Sequence, residues 1–398
     1  MKRYRLGEIA AFVEEKISSS AISLDEYVTT DSLLQDKRGR TVAQNLPPQS
    51  CNLTRFKKGD VLIGNIRPYL KKIWLADIDG GCSLDVLALR AINSEESTYL
   101  YALLMQDDFY KFVMKAPKGS KMPRGDKNHI LTYPCFCIPH KEKVGHFIKT
   151  LDDKIALNRR MNEKLETMAK RLYDRWFVQF DFPDADGRPY KTSGGKMAWN
   201  AALKREIPAG WEVDNLYHIA EYVNGLACQN YRPKTGEDFL PVIKIKEMHD
   251  GITAETEKVS ASISEKYKVF DGDILFSWSA SLEVMFWCGG DGGLNQHIFK
   301  VIPKTGFSKE FVFHQLSSYI VNFQKMAEAR KTTMGHITSD HIHQSCIALP
   351  PIKKIEEFSK ICAPLYEKIF ATSKEVIKLT ALRDRLLPLL MNGQVAVG

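Results

Sequence analysis

The feature that most constrains this chain is a long apolar seam between residues 143 and 177. Charged residues fill most positions beside the seam, which is typical of a coiled coil rather than of the broad apolar face of a globular helix. A straight helix of about 35 residues would be roughly 50 Å long, and its narrow seam needs a partner. The seam recurs in alternating steps of four and three residues, at Val144, Ile148, Leu151, Ile155, Asn158, Asn162, Leu165, Ala169, Leu172 and Trp176.

An internal repeat supplies the partner helix. Residues 59–62 (Gly-Asp-Val-Leu) recur as residues 272–275 (Gly-Asp-Ile-Leu), each at the start of a strand pattern. An amphipathic helix predicted over residues 97–114 has a counterpart over residues 311–329. A near-constant offset relates these matches, which indicates a tandem duplication of a module followed by a long helix. The second seam comprises Ile355, Phe358, Cys362, Leu365, Ile369, Thr372, Val376, Leu379, Arg383 and Leu386.

We predict an α+β fold in which two pseudo-repeated modules are joined by two long antiparallel coiled-coil helices, with the modules at opposite ends of a rod. The polar seam residues Asn158, Asn162 and Thr372 would set the register of the helix pair. The alternative is that each long helix packs on its own module as part of a globular core. The predicted segments are a first module (residues 1–142), a long helix (143–182), a linker (183–206), a second module (207–352) and a second long helix (353–398).

Composition restricts the class of protein without selecting a function. The 398 residues are 44% hydrophobic and 26% charged, which is typical of a folded chain with two or three domains. The net charge of +8 permits a polyanionic partner without proving one. The eight cysteines are scattered singly, we expect no signal peptide from residues 1–6, and no apolar run approaches about 18 residues. We therefore expect a cytoplasmic, reduced protein that does not associate with a membrane.

No motif indicates a catalytic site. Residues 45–49 (Asn-Leu-Pro-Pro-Gln) only approximate the Asn/Asp-Pro-Pro-aromatic motif of adenine methyltransferases, because Leu46 is inserted and the aromatic residue is missing. The glycine-rich residues 289–293 lack the Lys-Ser/Thr ending and the following helix of a phosphate loop. A possible metal cluster comprises His336, Asp340, His341 and His343. Its last two histidines alternate in a segment that leads to a strand, which does not favour a metal site. From all these motifs together, we predict no catalytic residue, no metal and no cofactor bound by this chain.

Clustered cations point to recognition instead. A basic loop at residues 115–127 follows the helix of the first module, and residues 330–336 occupy the equivalent place in the second. A lone basic loop is commonly solvated surface, but its recurrence in both modules favours contacts with phosphates and bases. A predicted strand near residues 244–246 adds two alternating lysines. The candidate DNA-binding residues are Lys37, Arg38, Arg40, Arg67, Lys118, Lys121, Arg124, Lys127, Lys244, Lys246, Arg330, Lys331 and Thr333.

Four stretches of the chain resemble the specificity subunits of type I restriction-modification systems. They are residues 207–213 (Ile-Pro-Ala-Gly-Trp-Glu-Val), 272–281, 349–351 and 172–183. The first looks like the opening of a target recognition domain. The second resembles the central strand motif of such a domain, and so do residues 59–70. The third is similar to the junction into a conserved helix, and the fourth to the end of the central conserved region. The chain departs from the family at the first junction, which has only Pro139.

The resemblance implies a non-catalytic subunit that reads a bipartite, asymmetric site in double-stranded DNA, with one target recognition domain per half-site. It implies that the paired helices act as a spacer and dock two modification (methyltransferase) subunits, which bind S-adenosylmethionine and methylate flipped adenines. Restriction subunits would join to cleave DNA. The residues expected to form the seam and to support docking are Ile148, Leu151, Ile155, Leu165, Leu172, Trp176, Phe358, Leu365, Ile369, Val376 and Leu379.

Two other functions remain open from the sequence. One is a stand-alone enzyme, such as a fused methyltransferase-recognition protein, and binding of S-adenosylmethionine by the chain alone would favour it. The other is a structural coiled-coil adaptor without affinity for DNA. Salt-dependent binding to duplex DNA would exclude the adaptor, because phosphate contacts give a steep dependence on salt concentration.

Overall fold

The computed structural model describes residues 3–119, 121–136, 138–279, 281–329 and 337–397. The chain forms two compact units, one of Met1–Asn158 with Lys378–Gly398 and the other of Arg159–Ile377. Each unit therefore contains one of the duplicated modules together with a segment of both long helices. None of the helices in the described ranges is long and apolar enough to cross a membrane.

Two four-stranded sheets form the framework of the first unit. Its strands are β1 (Arg3–Arg5), β2 (Ala10–Phe12), β3 (Lys16–Ser18), β4 (Tyr27–Val28), β5 (Asn52–Phe56), β6 (Val61–Gly64), β7 (Ile73–Leu75), β8 (Gly80–Cys82), β9 (Val86–Ala91), β10 (Pro117–Lys118), β11 (Arg124–Gly125) and β12 (Pro134–Phe136). One sheet has the order β2-β9-β6-β7 and is antiparallel throughout. The other has the order β3-β5-β8-β4, with β4 parallel to β8. Separate pairs are formed by β1 with β12 and by β10 with β11.

The helices of this unit are α1 (Ser97–Leu104), α2 (Asp107–Val113), α3 (Lys127–Leu131) and α4 (Lys141–Tyr173), which continues into the second unit. The prediction of one continuous helix over residues 97–114 is therefore wrong. Gln106 has an extended backbone (ψ 139°) and directly precedes a new helix, whose first turn carries Asp107 and Asp108. Acidic side chains are favourable at a helix N-terminus, so the local sequence stabilises this restart.

The second unit repeats the plan of the first. Its strands are β13 (Met197–Asn200), β14 (Arg205–Pro208), β15 (Glu212–Asp214), β16 (Ala220–Asn224), β17 (Phe239–Ile243), β18 (Lys258–Ser260), β19 (Lys268–Val269), β20 (Ile274–Ser277), β21 (Glu283–Phe286), β22 (Gly292–Leu294), β23 (Ile298–Pro303) and β24 (Ile347–Leu349). Its helices are α5 (Leu216–Ile219), α6 (Ile245–Asp250), α7 (Lys309–Ala329), α8 (Ser339–His343) and α9 (Ile352–Met391), whose C-terminal part lies in the first unit. A hairpin of β13 and β14 begins within the segment for which we predicted a linker.

The duplication extends to the order of the strands, with one difference. The antiparallel sheet β16-β23-β20-β21 matches β2-β9-β6-β7. In the other sheet, β19-β22-β17 matches β5-β8-β4, including the parallel pair. The fourth strand is added at opposite edges, because β3 pairs with β5 in the first unit whereas β18 pairs with β17 in the second. The two modules are therefore similar but not identical.

The repeated Gly-Asp run forms a turn that leads into a strand buried on both faces. Gly59 and Gly272 have left-handed φ angles of 92° and 86°. The carboxylates of Asp60 and Asp273 each accept the backbone N–H three residues earlier, at 2.7 and 2.9 Å. In β6, Val61 and Ile63 pack towards the helices, while Leu62 packs between the two sheets. Burial on both faces explains why the strand has an unbroken apolar sequence.

In the second unit, the long helices run antiparallel. Asn162 of α4 donates its amide N–H to Ser373 Oγ of α9 at 2.9 Å, and its carbonyl accepts a hydrogen bond from Thr372. Further along α4, the ring of Tyr173 lies 6.2 Å from that of Phe358, which comes earlier in α9. The polar seam residues Asn162 and Thr372 therefore contact each other directly.

The first unit shows the same antiparallel direction. Arg383 of α9 donates to Asp152 of α4 at 2.7 Å. Ile148, one turn earlier on α4, shares the module core with Leu387 and Leu390, which follow on α9. The ends of both helices thus pack into a module core as well as on each other.

All the seam residues that we assigned to the spacer are at least partly covered. The buried ones are Ile148, Ile155, Trp176, Phe358 and Ile369, and the half-buried ones are Leu151, Leu165, Leu172, Leu365, Val376 and Leu379. Trp176 and Phe358 lie in the apolar core of the second unit, with aromatic residues of its module. The seam therefore joins the helices and also anchors them to the modules.

Candidate nucleic-acid interface

Three loops of the first module that carry candidate cations are joined through their backbones. The backbone N–H of Lys37 donates to Lys71 O at 3.0 Å, which connects residues 35–40 to the loop after β6. The backbone N–H of Arg67, in that same loop, donates to Pro123 O at 2.9 Å. The structure therefore assembles one surface from clusters that are separate in the sequence.

Backbone strain is concentrated on this surface. Seven non-glycine residues in the described chain have a left-handed φ, and four of them lie on these loops. They are Asp36, Lys37, Arg67 and Lys71, with φ of 54°, 60°, 51° and 51°. Such a conformation costs about 1–3 kcal/mol per residue and is typical of binding and catalytic sites.

Lys37 serves to anchor its loop to helix α2. Its side chain is 8% exposed, and its Nζ lies 2.8 Å from Asp107 Oδ1. Lys71 Nζ lies 3.0 Å from the other oxygen of the same carboxylate. Partial burial of Asp107 opposes ionisation, but the hydrogen bonds and charges of the two lysines lower the pKa of the carboxyl group. Both ammonium groups are thus paired with the same carboxylate within the first unit.

Several other candidate cations also have partners within the unit. These pairs are Lys118 with Asp126, Arg124 with Asp85 (3.2 Å), Arg38 with Asp36 (3.8 Å), Arg40 with the Trp74 ring (4.5 Å) and Lys127 with the Phe12 ring (5.4 Å). In the part of the chain that the structure describes, the exposed side chains of Arg67 and Lys121 make no ion pair or hydrogen bond. They are the cations best placed to contact phosphates or base edges.

The second module has the same loop pair with different side chains. The backbone N–H of Ile337 donates to Trp278 O at 3.1 Å, as that of Gly125 donates to Asn65 O at 3.4 Å in the first module. Trp278 Nε1 donates to Asn224 Oδ1 at 3.1 Å. Sequence reasoning missed Trp278, although its place after the repeated strand motif marks it as the equivalent of Asn65. The predicted residues Arg330, Lys331 and Thr333 lie outside the described residues.

Lys244 and Lys246 do not lie in a strand, contrary to our prediction. Lys244 precedes the first turn of α6, and Lys246 lies within that turn. The Glu247 carboxylate accepts the backbone N–H of Lys244 at 3.2 Å, and such a cap stabilises the start of a helix. Lys244 Nζ lies 2.6 Å from Glu257, and Lys246 Nζ lies 4.0 Å from Glu255. Both lysines therefore have acidic neighbours.

The two described histidines of the possible metal cluster have separate roles in packing. His341 Nδ1 accepts the backbone N–H of Thr338 at 3.0 Å and so caps α8. The ring of His343 lies 4.1 Å from that of Tyr217, while His336 lies outside the described residues. Within the described ranges, no group of three or more His, Cys, Asp or Glu side chains could hold a metal ion.

A cavity of about 800 Å³ in the second unit has the wrong charge for nucleic acid. Its lining combines aromatic side chains with the carboxylates of Glu163, Glu166, Glu247 and Glu283. Partial burial and the neighbouring charge of Glu163 raise the pKa of Glu166. Phosphates would be repelled from these carboxylates, so the joined basic loops remain the candidate interface.

Comparisons with known proteins agree with this architecture. Residues 208–379 match the family model of the type I restriction modification DNA specificity domain. The chain is 25% identical to the type I restriction enzyme HindI specificity subunit of Haemophilus influenzae, over 99% of each chain. It is 24% identical to the MjaIX specificity subunit of Methanocaldococcus jannaschii, over 88% of this chain and 80% of that one.

A solved structure resembles the fold over nearly its full length. The S subunit of a type I restriction-modification system from M. genitalium superposes with a TM-score of 0.60 at 12% identity, covering 97% of this chain and 94% of that one. This likeness concerns the fold alone, whereas the family model and the two relatives concern the sequence. Taken with the duplicated module and the paired helices, they show that the chain is similar to the specificity subunits of type I restriction enzymes.

Proposed function

We propose that this chain reads a bipartite, asymmetric site in double-stranded DNA, with one module for each half-site. The observation that carries the proposal is the loop pair that both modules share with different side chains. A common scaffold would let the modules approach DNA in the same way. Different side chains on that scaffold would select different bases, because each base pair presents its own donors and acceptors in the major groove.

The charge distribution supports this assignment. The chain has a net charge of +8, and the first module presents Arg67 and Lys121 without acidic partners among the described residues. Phosphate contacts by such cations supply sequence-independent affinity and make binding depend on salt concentration. The second module would supply its own contacts to the other half-site, through side chains such as Trp278 and Asn224, which are hydrogen-bonded to each other.

In this proposal, the chain contributes recognition and assembly but no catalytic step. Two modification (methyltransferase) subunits dock on the paired helices, bind S-adenosylmethionine and methylate a flipped adenine in each half-site. Restriction subunits join the same complex to cleave DNA. Support comes from the curated relatives, which are named as specificity subunits of type I restriction enzymes. The mostly charged outer faces of the helices remain available for partners.

The decisive experiment maps methylated adenines by sequencing DNA from cells that express this chain with its modification subunits. We expect one motif with two defined half-sites and a gap of constant length. Cells that express the modification subunits alone are the control and should lack the motif. A single uninterrupted motif, or no methylation that depends on this chain, would contradict the proposal.

The same assay tests whether the helices set the gap. Seven residues, one repeat of the seam, would be inserted after Asn158 and another seven before Lys378, which keeps the seam in phase. Each insertion lengthens its helix by about 10 Å, so the gap should grow by about 3 base pairs. An unchanged gap in a complex that still methylates DNA would show that the helices do not act as a spacer.

A further inference from the structure

We infer that Arg67 reads a guanine base in the half-site of the first module. This inference rests on the proposed recognition of DNA and adds the identity of one contact. Its starting point is the position of the residue, which follows the buried strand β6 and has a left-handed φ of 51°. The side chain is exposed and has no ion pair or hydrogen bond among the described residues.

The backbone of Arg67 is held on both sides. Its N–H donates to Pro123 O at 2.9 Å, and its carbonyl accepts the N–H of Leu70 at 2.9 Å. The preceding residue, Ile66, forms a bridge with Arg124, whose side chain is itself held by Asp85. Base reading requires a side chain that starts from a fixed point, and these contacts supply one.

The choice of arginine at this point has a chemical reason. A turn that only needed a left-handed backbone would be least strained with glycine or asparagine. Arginine instead adds a planar fork of donors, which matches the O6 and N7 acceptors that guanine presents in the major groove. Lys121 has a point charge on a flexible stem, which suits a phosphate contact better. The two exposed cations therefore divide into a base contact and a phosphate contact.

The duplication confines this contact to one half-site. The repeat aligns Arg67 with Ala280, which lies outside the described residues but carries no guanidinium group. The second module has Ser279 where the first has Ile66, and Trp278 where the first has Asn65. Loss of the Arg67 side chain should therefore change the reading of one half-site and leave the other intact.

The test compares wild type with Arg67→Gly and Arg67→Lys in the full complex, by sequencing methylated adenines in cells. Glycine tolerates the left-handed backbone and removes the side chain, whereas lysine keeps the charge and removes the fork. We expect both variants to accept other bases at one guanine position of one half-site. Binding to the original site should weaken on the order of 10- to 100-fold, with binding to a site substituted at that position affected much less.

Lys121→Ala is the matched control. It should weaken binding to all sequences alike and lower the dependence of log affinity on log salt by about one, without relaxing the motif. The inference is overturned if Arg67→Lys keeps the wild-type motif, since a charge alone would then suffice, or if Arg67→Gly keeps it. A wild-type chain that directs no bipartite motif would instead refute the proposed function itself.

Discussion

The ion pair between Arg383 and Asp152 allows a quantitative test of what holds the two long helices together in the first unit. The Arg383 side chain is 2% exposed, and its Nη1 lies 2.7 Å from Asp152 Oδ1. The other oxygen of that carboxylate accepts the Tyr101 hydroxyl at 2.7 Å. Arg383 also pairs with Asp384, the next residue of α9, at 2.9 Å. One residue from the module, one from α4 and two from α9 therefore meet in this polar junction.

Replacing Arg383 with methionine should lower the free energy of unfolding by about 3 kcal/mol. Removal of one partner from a buried ion pair typically costs about 3–5 kcal/mol, because the other charge stays buried. We expect the lower part of that range, since the Asp152 side chain is 15% exposed and keeps its hydrogen bond from Tyr101. Replacing both partners, as Arg383→Met with Asp152→Asn, removes both charges of the pair, keeps an acceptor for the Tyr101 hydroxyl and should restore stability to within about 1 kcal/mol of wild type.

The assay is urea unfolding of the full chain, followed by circular dichroism, for the two single variants and the double variant. Lys374→Met is the control, because its ion pair with Asp271 is 50% exposed on the lysine side and should contribute little to stability. The reasoning is refuted if Arg383→Met costs no more than this control. It is also refuted if the double variant is as unstable as the sum of the single variants.

Three further predictions concern the candidate interface, the seam between the long helices and a buried histidine. Lys121→Glu should weaken binding to duplex DNA without changing assembly with the modification subunits, and filter binding at wild-type affinity would remove this residue from the interface. Leu165→Asp places a charge in the half-buried seam and should destabilise the helix pair by about 2–4 kcal/mol, so normal assembly in size-exclusion chromatography would contradict a role for the seam. Burial, aided by the charge of Lys170, lowers the pKa of His314 from 6.5 to about 3. The unfolded chain then binds more protons between these values, so stability should fall on acidification through this window by up to about 1.4 kcal/mol per pH unit. His314→Gln should show a smaller dependence in urea unfolding at pH 7 and pH 5, and equal slopes would exclude His314 as the cause.

The sequence by itself determined the features that depend on local pattern. Periodic spacing predicted the long helices, and the recurrence of Gly-Asp before an apolar strand revealed the duplication, because such signals lie within one element or repeat along the chain. The same patterns carried the resemblance to the specificity subunits. Local pattern failed at two helix starts, after Gln106 and after Lys244, which the apolar periodicity did not predict. In both places acidic side chains of the first turn stabilise a helix start that the apolar spacing does not show.

Only the tertiary structure decided which charges are available for recognition. In the sequence Lys37, Arg67 and Lys121 look equivalent, but the fold buries Lys37 against Asp107 and leaves the other two exposed. Likewise, Arg383 is a charged residue in a mostly apolar seam, and its partner Asp152 lies 231 residues away in the sequence. Only the fold brings the two side chains together. Ion pairs depend on distance and burial in space, and composition and periodicity carry no information about partners that far apart in the chain.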